Sequence, residues 1–254
     1  MGTARLSGKR ALITAGAGGI GLEMAGLFRD EGADVWICDV DDAALDATGG
    51  AYRKSRCDVS SESDVEALFA AIEGEWGGLD ILVNNAGVAG PTAPVEAIAP
   101  EDWRRTIDVD LTGSFYCTRL AVPWLKVTGG SIVNMSSVAG RIGYPLRTPY
   151  AAAKWAVVGF TKSLAGELGP HGVRVNAILP GPVAGERIQA VFDARASRLG
   201  VSPADVEAEY VEKVALRKLV TARDIAEMAL FLSSDAGASI SGQALSVCGG
   251  MESL

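Results

Sequence analysis

The chain of 254 residues predicts an α/β fold, a single domain whose parallel sheet is covered by helices on both faces. Three observations carry that expectation. Short apolar runs alternate regularly with longer amphipathic segments, the pattern of strands joined by crossover helices. The first apolar run leads into a glycine-rich turn and then a helical pattern. No repeat, linker or low-complexity segment divides residues 1–254, and a hydrophobic content of 48% is enough to fill one large core.

Ala11-Leu12-Ile13 reads as the first strand, and the helix after the turn extends to about Asp30. Val35–Cys38 is the second strand and Arg53–Cys57 the third. Ser60-Ser61-Glu62-Ser63-Asp64 has the serine and acid pattern of a helix start, and that helix runs to about Trp76. Ile81-Leu82-Val83 is the fourth strand. A helix from about Pro100 to Val127 leads to the fifth, Ser131–Met135. The next helix carries Tyr150 and ends near Leu168, before a sixth strand at Val173–Ile178. A last helix runs from Thr221 to about Ser233, with Thr221 and Asp224 as a capping pair, and Ala244–Val247 is the last strand.

About forty residues between Pro180 and Val220 break the alternation. Ile188, Val191, Phe192 and Leu199 recur near helical spacing, and Ser202-Pro203-Ala204-Asp205 is a helix start with proline in the first turn. Residues 184–219 are therefore expected to form a helical insertion on the substrate side, a lid or binding element, with an oligomer contact or a packing element as the alternative.

A net charge of -8 argues against nucleic acid or an acidic membrane surface as partner. No apolar run reaches membrane-spanning length, and residues 1–10 lack the apolar core of a signal segment. The four cysteines, Cys38, Cys57, Cys117 and Cys248, are scattered with no Cys-x-x-Cys pair, three of them at or near apolar strand ends or in helical pattern, where a buried thiol is expected. His171 is the only histidine, so no metal site is expected. A reducing, cytoplasmic compartment fits these features.

Tyr150 and Lys154 are four residues apart on one helix and so share a face, thirteen residues beyond Ser137. A free phenol is a poor base at neutral pH, but an ammonium one turn away favours the phenolate. A serine hydroxyl from a separate loop can then hold a substrate oxygen while the tyrosine exchanges its proton, which suits interconversion of an alcohol and a carbonyl. In Thr14-Ala15-Gly16-Ala17-Gly18-Gly19-Ile20-Gly21, the glycines Gly16, Gly19 and Gly21 with Ile20 let backbone approach a pyrophosphate at a helix N-terminus. Asp39 ends the second strand, 18 residues after Gly21, where a carboxylate accepts hydrogen bonds from ribose hydroxyls and repels a 2′-phosphate. Val40, Asp41 and Asp42 follow with no basic residue, so NAD is favoured over NADP. Asp58 and Val59 follow the third strand, near the expected adenine. Asn84-Asn85-Ala86-Gly87 follows the fourth and suits a chain passing close beneath a cofactor. Arg141 and Arg147 lie between Ser137 and Tyr150. They are expected to be solvated or interface arginines, with pairing to an anionic substrate group as the alternative.

Together these residues resemble the short-chain dehydrogenase/reductase family over essentially the whole chain. The further markers are Asn176, Pro180-Gly181, Ile240-Ser241-Gly242-Gln243 and Gly249-Gly250. The resemblance implies a Rossmann-type doubly wound sheet of about seven parallel strands, a nicotinamide cofactor and commonly a homotetramer. It implies Tyr150 as acid/base, Lys154 on the nicotinamide ribose, Ser137 on the substrate oxygen, and Val183 beside Pro180-Gly181 in the cofactor site. Four positions depart from the family pattern. Ala15 replaces a glycine of the turn, and Asp110 replaces an asparagine that supports a water-linked proton relay from the lysine. Gly185 replaces a threonine after Pro-Gly, and Cys248 replaces an aspartate before the final glycines. The reacting groups are all present. The expected activity is NAD-dependent oxidation of a small secondary alcohol, with Asp110 as a relay element. The alternatives are a catalytically weak NAD-binding regulatory protein on the same fold and an NADP-linked 3-oxoacyl reductase.

Overall fold

The structure, a computed structural model, describes residues 4–251. Its strands are β1 Arg10–Thr14, β2 Asp34–Asp39, β3 Arg53–Arg56, β4 Ile81–Asn84, β5 Ser131–Met135, β6 Arg174–Pro180 and β7 Ala244–Val247. They form one seven-stranded sheet in the order β3-β2-β1-β4-β5-β6-β7, with every neighbouring pair parallel. The chain order reverses between β1 and β4, so the loops leaving these two strands diverge and open a crevice at their carboxyl ends.

Alternation along each strand divides the core into two layers. Ala11 and Ile13 of β1, Val83 of β4 and Val133 of β5 pack beneath α1, Gly19–Asp30, and α9, Ala222–Ser233. Leu12, Leu82 and Ile132 point the other way, toward α3, Glu62–Trp76, α5, Gly113–Thr128, and the end of α6, Thr148–Leu168. Phe28 of α1 and Leu125 of α5 are fully buried. Removing the ring of a residue such as Phe28 costs about 3–5 kcal/mol in lost burial and cavity formation. All four cysteines are buried and free.

Three local features differ from the expectation. A short helix, α2, Asp42–Ala47, follows β2, with the Asp41 side chain accepting the Ala44 N–H at 3.0 Å. The helix expected over 100–127 is interrupted: α4, Pro100–Ile107, passes through a π-helical turn, Asp108–Thr112, into α5. The turn buries Asp110, which an uninterrupted amphipathic reading does not reveal. The third difference lies in the insertion, which folds as α7, Glu186–Leu199, and α8, Pro203–Glu212. These helices have their own small core of Phe192, Ala196, Val206 and Tyr210, with Ile188 and Tyr144 packed against it. Leu199, expected on the packed face, is 50% exposed, because it is the last residue of α7 and lies where the chain turns away at Gly200. Ser202 and Asp205 form the capping box of α8, and Thr221 and Asp224 that of α9.

A concavity of about 420 Å³ opens at the amino ends of β4–β6 between Lys9, Asp80, Ser131 and Arg174. It is at the opposite end of the strands from Asp39, Ser137 and Lys154, and none of the candidate site residues line it. No described helix is long and apolar enough to cross a membrane, and no described group of His, Cys, Asp or Glu could hold a metal ion.

Candidate active site

At the carboxyl end of β1 the chain turns into α1 without a capping side chain. Gly18 occupies the N-cap position, makes no side-chain bond, and no acid lies in the first turn. The positive end of the helix therefore faces the crevice. A side chain at Gly21 would collide with the Ala15 carbonyl and lie 2.7 Å from the Asn85 amide nitrogen, so the turn is open to close approach from outside only. Ala15 keeps the left-handed conformation of the glycine it replaces, with φ 48°. The Asn85 amide donates to the carbonyls of Thr14 and Ala15 at 3.0 and 3.1 Å, and the Thr14 hydroxyl accepts the N–H groups of Asn85 and Ala86, both at 2.9 Å. Expected in the cofactor site, Asn85 spends its side chain on holding the glycine-rich turn against the loop after β4.

Asp39 stands beside this turn. Its carboxylate accepts from Ala17 N–H and Asp41 N–H, both at 3.2 Å, and no described arginine or lysine pairs with it. Two backbone donors fix its orientation while leaving its charge uncompensated. Asp58 lies two residues beyond Arg56, the register partner of Asp39, so both carboxylates sit on one edge of the crevice. Burial alone would raise the Asp58 pKa, but hydrogen bonds from Ser60 and the pair with Arg105 at 3.1 Å outweigh it and hold the group below its ordinary range. Val59 is buried against Gly113.

Lys154 is 2% exposed and Asp110 1% exposed, and their charged atoms lie 3.4 Å apart. The π turn carries the Asp110 carboxylate up to the ammonium, so the two charges are in direct contact. Lys154 Nζ donates to the Met135 carbonyl at 3.1 Å, and Asp110 Oδ1 accepts the Val88 N–H at 2.6 Å. Asp110 Oδ2 receives no hydrogen bond, so the contact with Lys154 is electrostatic rather than a well-aligned bond. Backbone passes directly over the pair at Gly87, where a Cβ would stand 3.2 Å from both Asp110 Oδ1 and Lys154 Nζ. Only glycine permits that approach without displacement.

Tyr150 is half-buried one turn before Lys154, whose ammonium lies 5.6 Å from the centre of the phenol ring. Ser137 ends the loop after β5 and accepts the Ala139 N–H at 3.1 Å. Its neighbour Ser136 donates to the Lys154 carbonyl at 2.8 Å, which ties this loop to the same turn of α6. The structure thus gathers Ser137, Tyr150, Lys154 and Asp110 from three separate elements. Arg141 bonds β7 through Ser246 Oγ at 3.0 Å and the Ala244 carbonyl. Arg147, expected to be solvated or at an interface with a place at the substrate as the alternative, is buried beside Tyr150.

On the far side of the crevice, Pro180 ends β6 and Gly181 donates to the Val247 carbonyl at 3.0 Å while packing on Cys248. Val183 bridges to Val220, so the segment entering the insertion is held at both ends. Gly185 has φ 142°, a conformation side-chain-bearing residues rarely adopt, so its replacement of threonine follows from the turn into α7. Arg187 of α7 reaches across to donate to the Gly87 carbonyl at 3.1 Å, a contact the sequence reading did not include.

Residues 15–252 match the family model described as enoyl-(acyl carrier protein) reductase. The chain is 35% identical to 2,5-dichloro-2,5-cyclohexadiene-1,4-diol dehydrogenase of Sphingobium indicum, covering 98% of this chain and 99% of that protein. It is 38% identical to galactitol 2-dehydrogenase of Agrobacterium fabrum, covering 97% and 98%. The crystal structure of NAD+-bound xylitol dehydrogenase superimposes with a TM-score of 0.92 at 28% identity, over 97% of this chain and 100% of that one. With the seven-stranded parallel sheet and this arrangement of residues, the matches lead to one conclusion: the chain belongs to the short-chain dehydrogenase/reductase family.

Proposed function

We propose that the protein is an NAD-dependent oxidoreductase interconverting a secondary alcohol and a ketone on a small molecule. The observation that carries this reading is the buried Lys154–Asp110 pair one helical turn from Tyr150. In oxidation Tyr150 takes the proton of the carbinol hydroxyl, and in reduction it returns one to the carbonyl oxygen. The Lys154 ammonium stabilises the negative charge that the phenol oxygen carries between these steps. Ser137 donates a hydrogen bond to the substrate oxygen. Asp110 holds the ammonium in place, and its own charge opposes the phenolate, so its net effect on rate is modest.

The dinucleotide, when bound, supplies the acceptor or donor of hydride. The open end of α1 with Gly16, Gly19, Ile20 and Gly21 suits its pyrophosphate, and the oriented carboxylate of Asp39 suits its adenosine ribose. Asp58 and Val59 would lie at the adenine, and Ala86 and Gly87 beneath the cofactor with Asn85 bracing them. Tyr150 and Lys154 would meet the nicotinamide ribose, and Pro180, Gly181 and Val183 would lie beside the nicotinamide. The insertion, 184–219, lies next in the chain and would cover the substrate. The same reading makes the protein a cytoplasmic homo-oligomer.

The named relatives act on a cyclic diol and a sugar alcohol, so cyclic diols and polyols head the substrate panel. Reduction of NAD and of NADP by each alcohol tests the proposal. NAD should be the better cofactor by at least about tenfold in kcat/KM, a gap of about 1.4 kcal/mol. Asp39→Ala combined with Val40→Arg should narrow it. Equal efficiency with the two cofactors would remove the role given to Asp39 and reopen the NADP-linked reductase reading.

A further inference from the structure

Arg147 precedes the first turn of α6 and is 5% exposed, yet no described carboxylate pairs with it. Its guanidinium lies 4.9 Å from the centre of the Tyr150 ring and 5.4 Å from that of Tyr144. One Nη donates to the Ala89 carbonyl in the loop after β4, and Nε, fully buried, has no partner. Removing a cation from water without a counter-charge is costly, and two aromatic rings and one carbonyl return only part of that cost. A site that keeps such a charge has a use for it. Of the groups it touches, two can become anionic. Tyr144 is held protonated: burial pushes its pKa up strongly, and its hydroxyl shares a 2.5 Å hydrogen bond with Tyr210 of α8. Tyr150 is the group left.

We infer that Arg147 is a positioning residue for Tyr150: its guanidinium packs on the phenol ring that Lys154 also approaches, and its charge stabilises the phenolate during proton exchange. This inference rests on the reading of Tyr150 as the acid/base. The charged and titratable groups around the ring are Lys154 on α6, with Asp110 of the π turn behind it, Arg147 at the helix entrance, and Tyr144 in the preceding loop with Tyr210 of α8 behind it. Two cations face Tyr150 and a single carboxylate offsets one of them, so the site has an excess of positive charge that Arg147 supplies. Because Tyr144 also contacts the insertion, the stack links the seating of α8 to the orientation of the catalytic ring.

The test has two arms, using Arg147→Gln and Arg147→Lys, each with and without Tyr150→Phe. In the first, the tyrosinate ultraviolet absorbance of each variant is titrated against pH, and subtracting the matching Tyr150→Phe curve isolates Tyr150 without any substrate. In the second, kcat is measured across pH on an alcohol that the wild type oxidises. Arg147→Gln should move the Tyr150 transition and the rising limb of kcat to higher pH and lower kcat by about tenfold at neutral pH. NADH affinity should stay unchanged. Arg147→Lys, which keeps the charge but not the planar stack, should return the pH midpoint toward wild type. A Tyr150 transition at its wild-type pH in Arg147→Gln overturns the inference, as do equal losses in both variants with an unmoved midpoint, which would make Arg147 a packing residue. Should the wild type oxidise no alcohol, the proposed activity fails while the absorbance arm still decides the role of Arg147.

Discussion

Helices α1 and α9 lie side by side on one face of the sheet, and each is 12 residues long, yet they begin in opposite ways. Helix α9 starts with a complete capping box: the Thr221 side chain accepts the Asp224 N–H at 3.1 Å, and Asp224 accepts the Thr221 N–H at 2.8 Å. Helix α1 starts at Gly18, with no side-chain cap, no acid in the first turn, and a left-handed alanine three residues before. A glycine start is about 0.3 kcal/mol poorer than a capping side chain, so α1 forgoes a little stability that its neighbour secures. The two ends differ in where they point. The α9 start meets solvent, whereas the α1 start faces the crevice between β1 and β4, where unpaired N–H groups and a positive helix end are useful to an anionic ligand.

Closing the open end should produce the largest effect. At Gly18 the backbone is extended, with φ -154°, and a Cβ would meet nothing within 4 Å, so Gly18→Asp is sterically free. It should stabilise the fold by about 0.3 kcal/mol as a new cap. The same carboxylate should weaken NADH binding by at least about tenfold through charge repulsion at the helix end. A titration of NADH fluorescence alongside a thermal melt reads both. Unchanged affinity with raised stability would mean that the open end serves no anion.

The reciprocal change is smaller. Thr221→Ala should cost about 1 kcal/mol of unfolding free energy and leave NADH affinity untouched, as measured by urea denaturation and the same titration. Its pH dependence has a definite sign. Asp224 is held below its ordinary pKa, first by the Thr221 N–H and then by the Thr221 hydroxyl. Its contribution is therefore complete above the unfolded value of about 3.9 and is lost as pH falls through the lower folded value. The wild type should lose its advantage over Thr221→Ala only in that acid range. An advantage that disappeared near neutral pH would point to another group.

The smallest effect belongs to Ala15. Its φ of 48° costs an L-residue about 1 kcal/mol, which glycine avoids. Part of that gain is cancelled by the freer unfolded chain, so Ala15→Gly should stabilise by about 0.5 kcal/mol without changing cofactor affinity. A loss of stability would show that the methyl group packs favourably enough to offset the strain.

The contrast between the two helix ends was legible in the sequence. Glycines followed by an uncharged first turn and a Thr-x-x-Asp start are local patterns, and local patterns survive folding. The strands were legible for the same reason, since a run such as Ile81-Leu82-Val83 buried on both faces has few other uses. The site was legible only where its residues are close in the chain. Tyr150 and Lys154 share a helical face, but the direct contact of Lys154 with Asp110 depends on the π turn over Asp108–Thr112, which has no local signature in the sequence. The burial of Arg147 depends on two tyrosines and a carbonyl from elsewhere in the fold, and a charged residue in a loop carries no local sign of that. Helix α2 was missed because Asp41 and Asp42 also read as plain turn acids, and at six residues its pattern is too short to show a period.

The most direct measurement of the central claim is the rate of NADH formation by wild type and Tyr150→Phe, on the best alcohol from the panel, with NADH affinity measured for both. The substitution keeps the ring beside Arg147 and Lys154 and removes only the hydroxyl. The account predicts a loss in kcat of at least about 10²-fold with affinity retained. Turnover by Tyr150→Phe close to that of the wild type would contradict it.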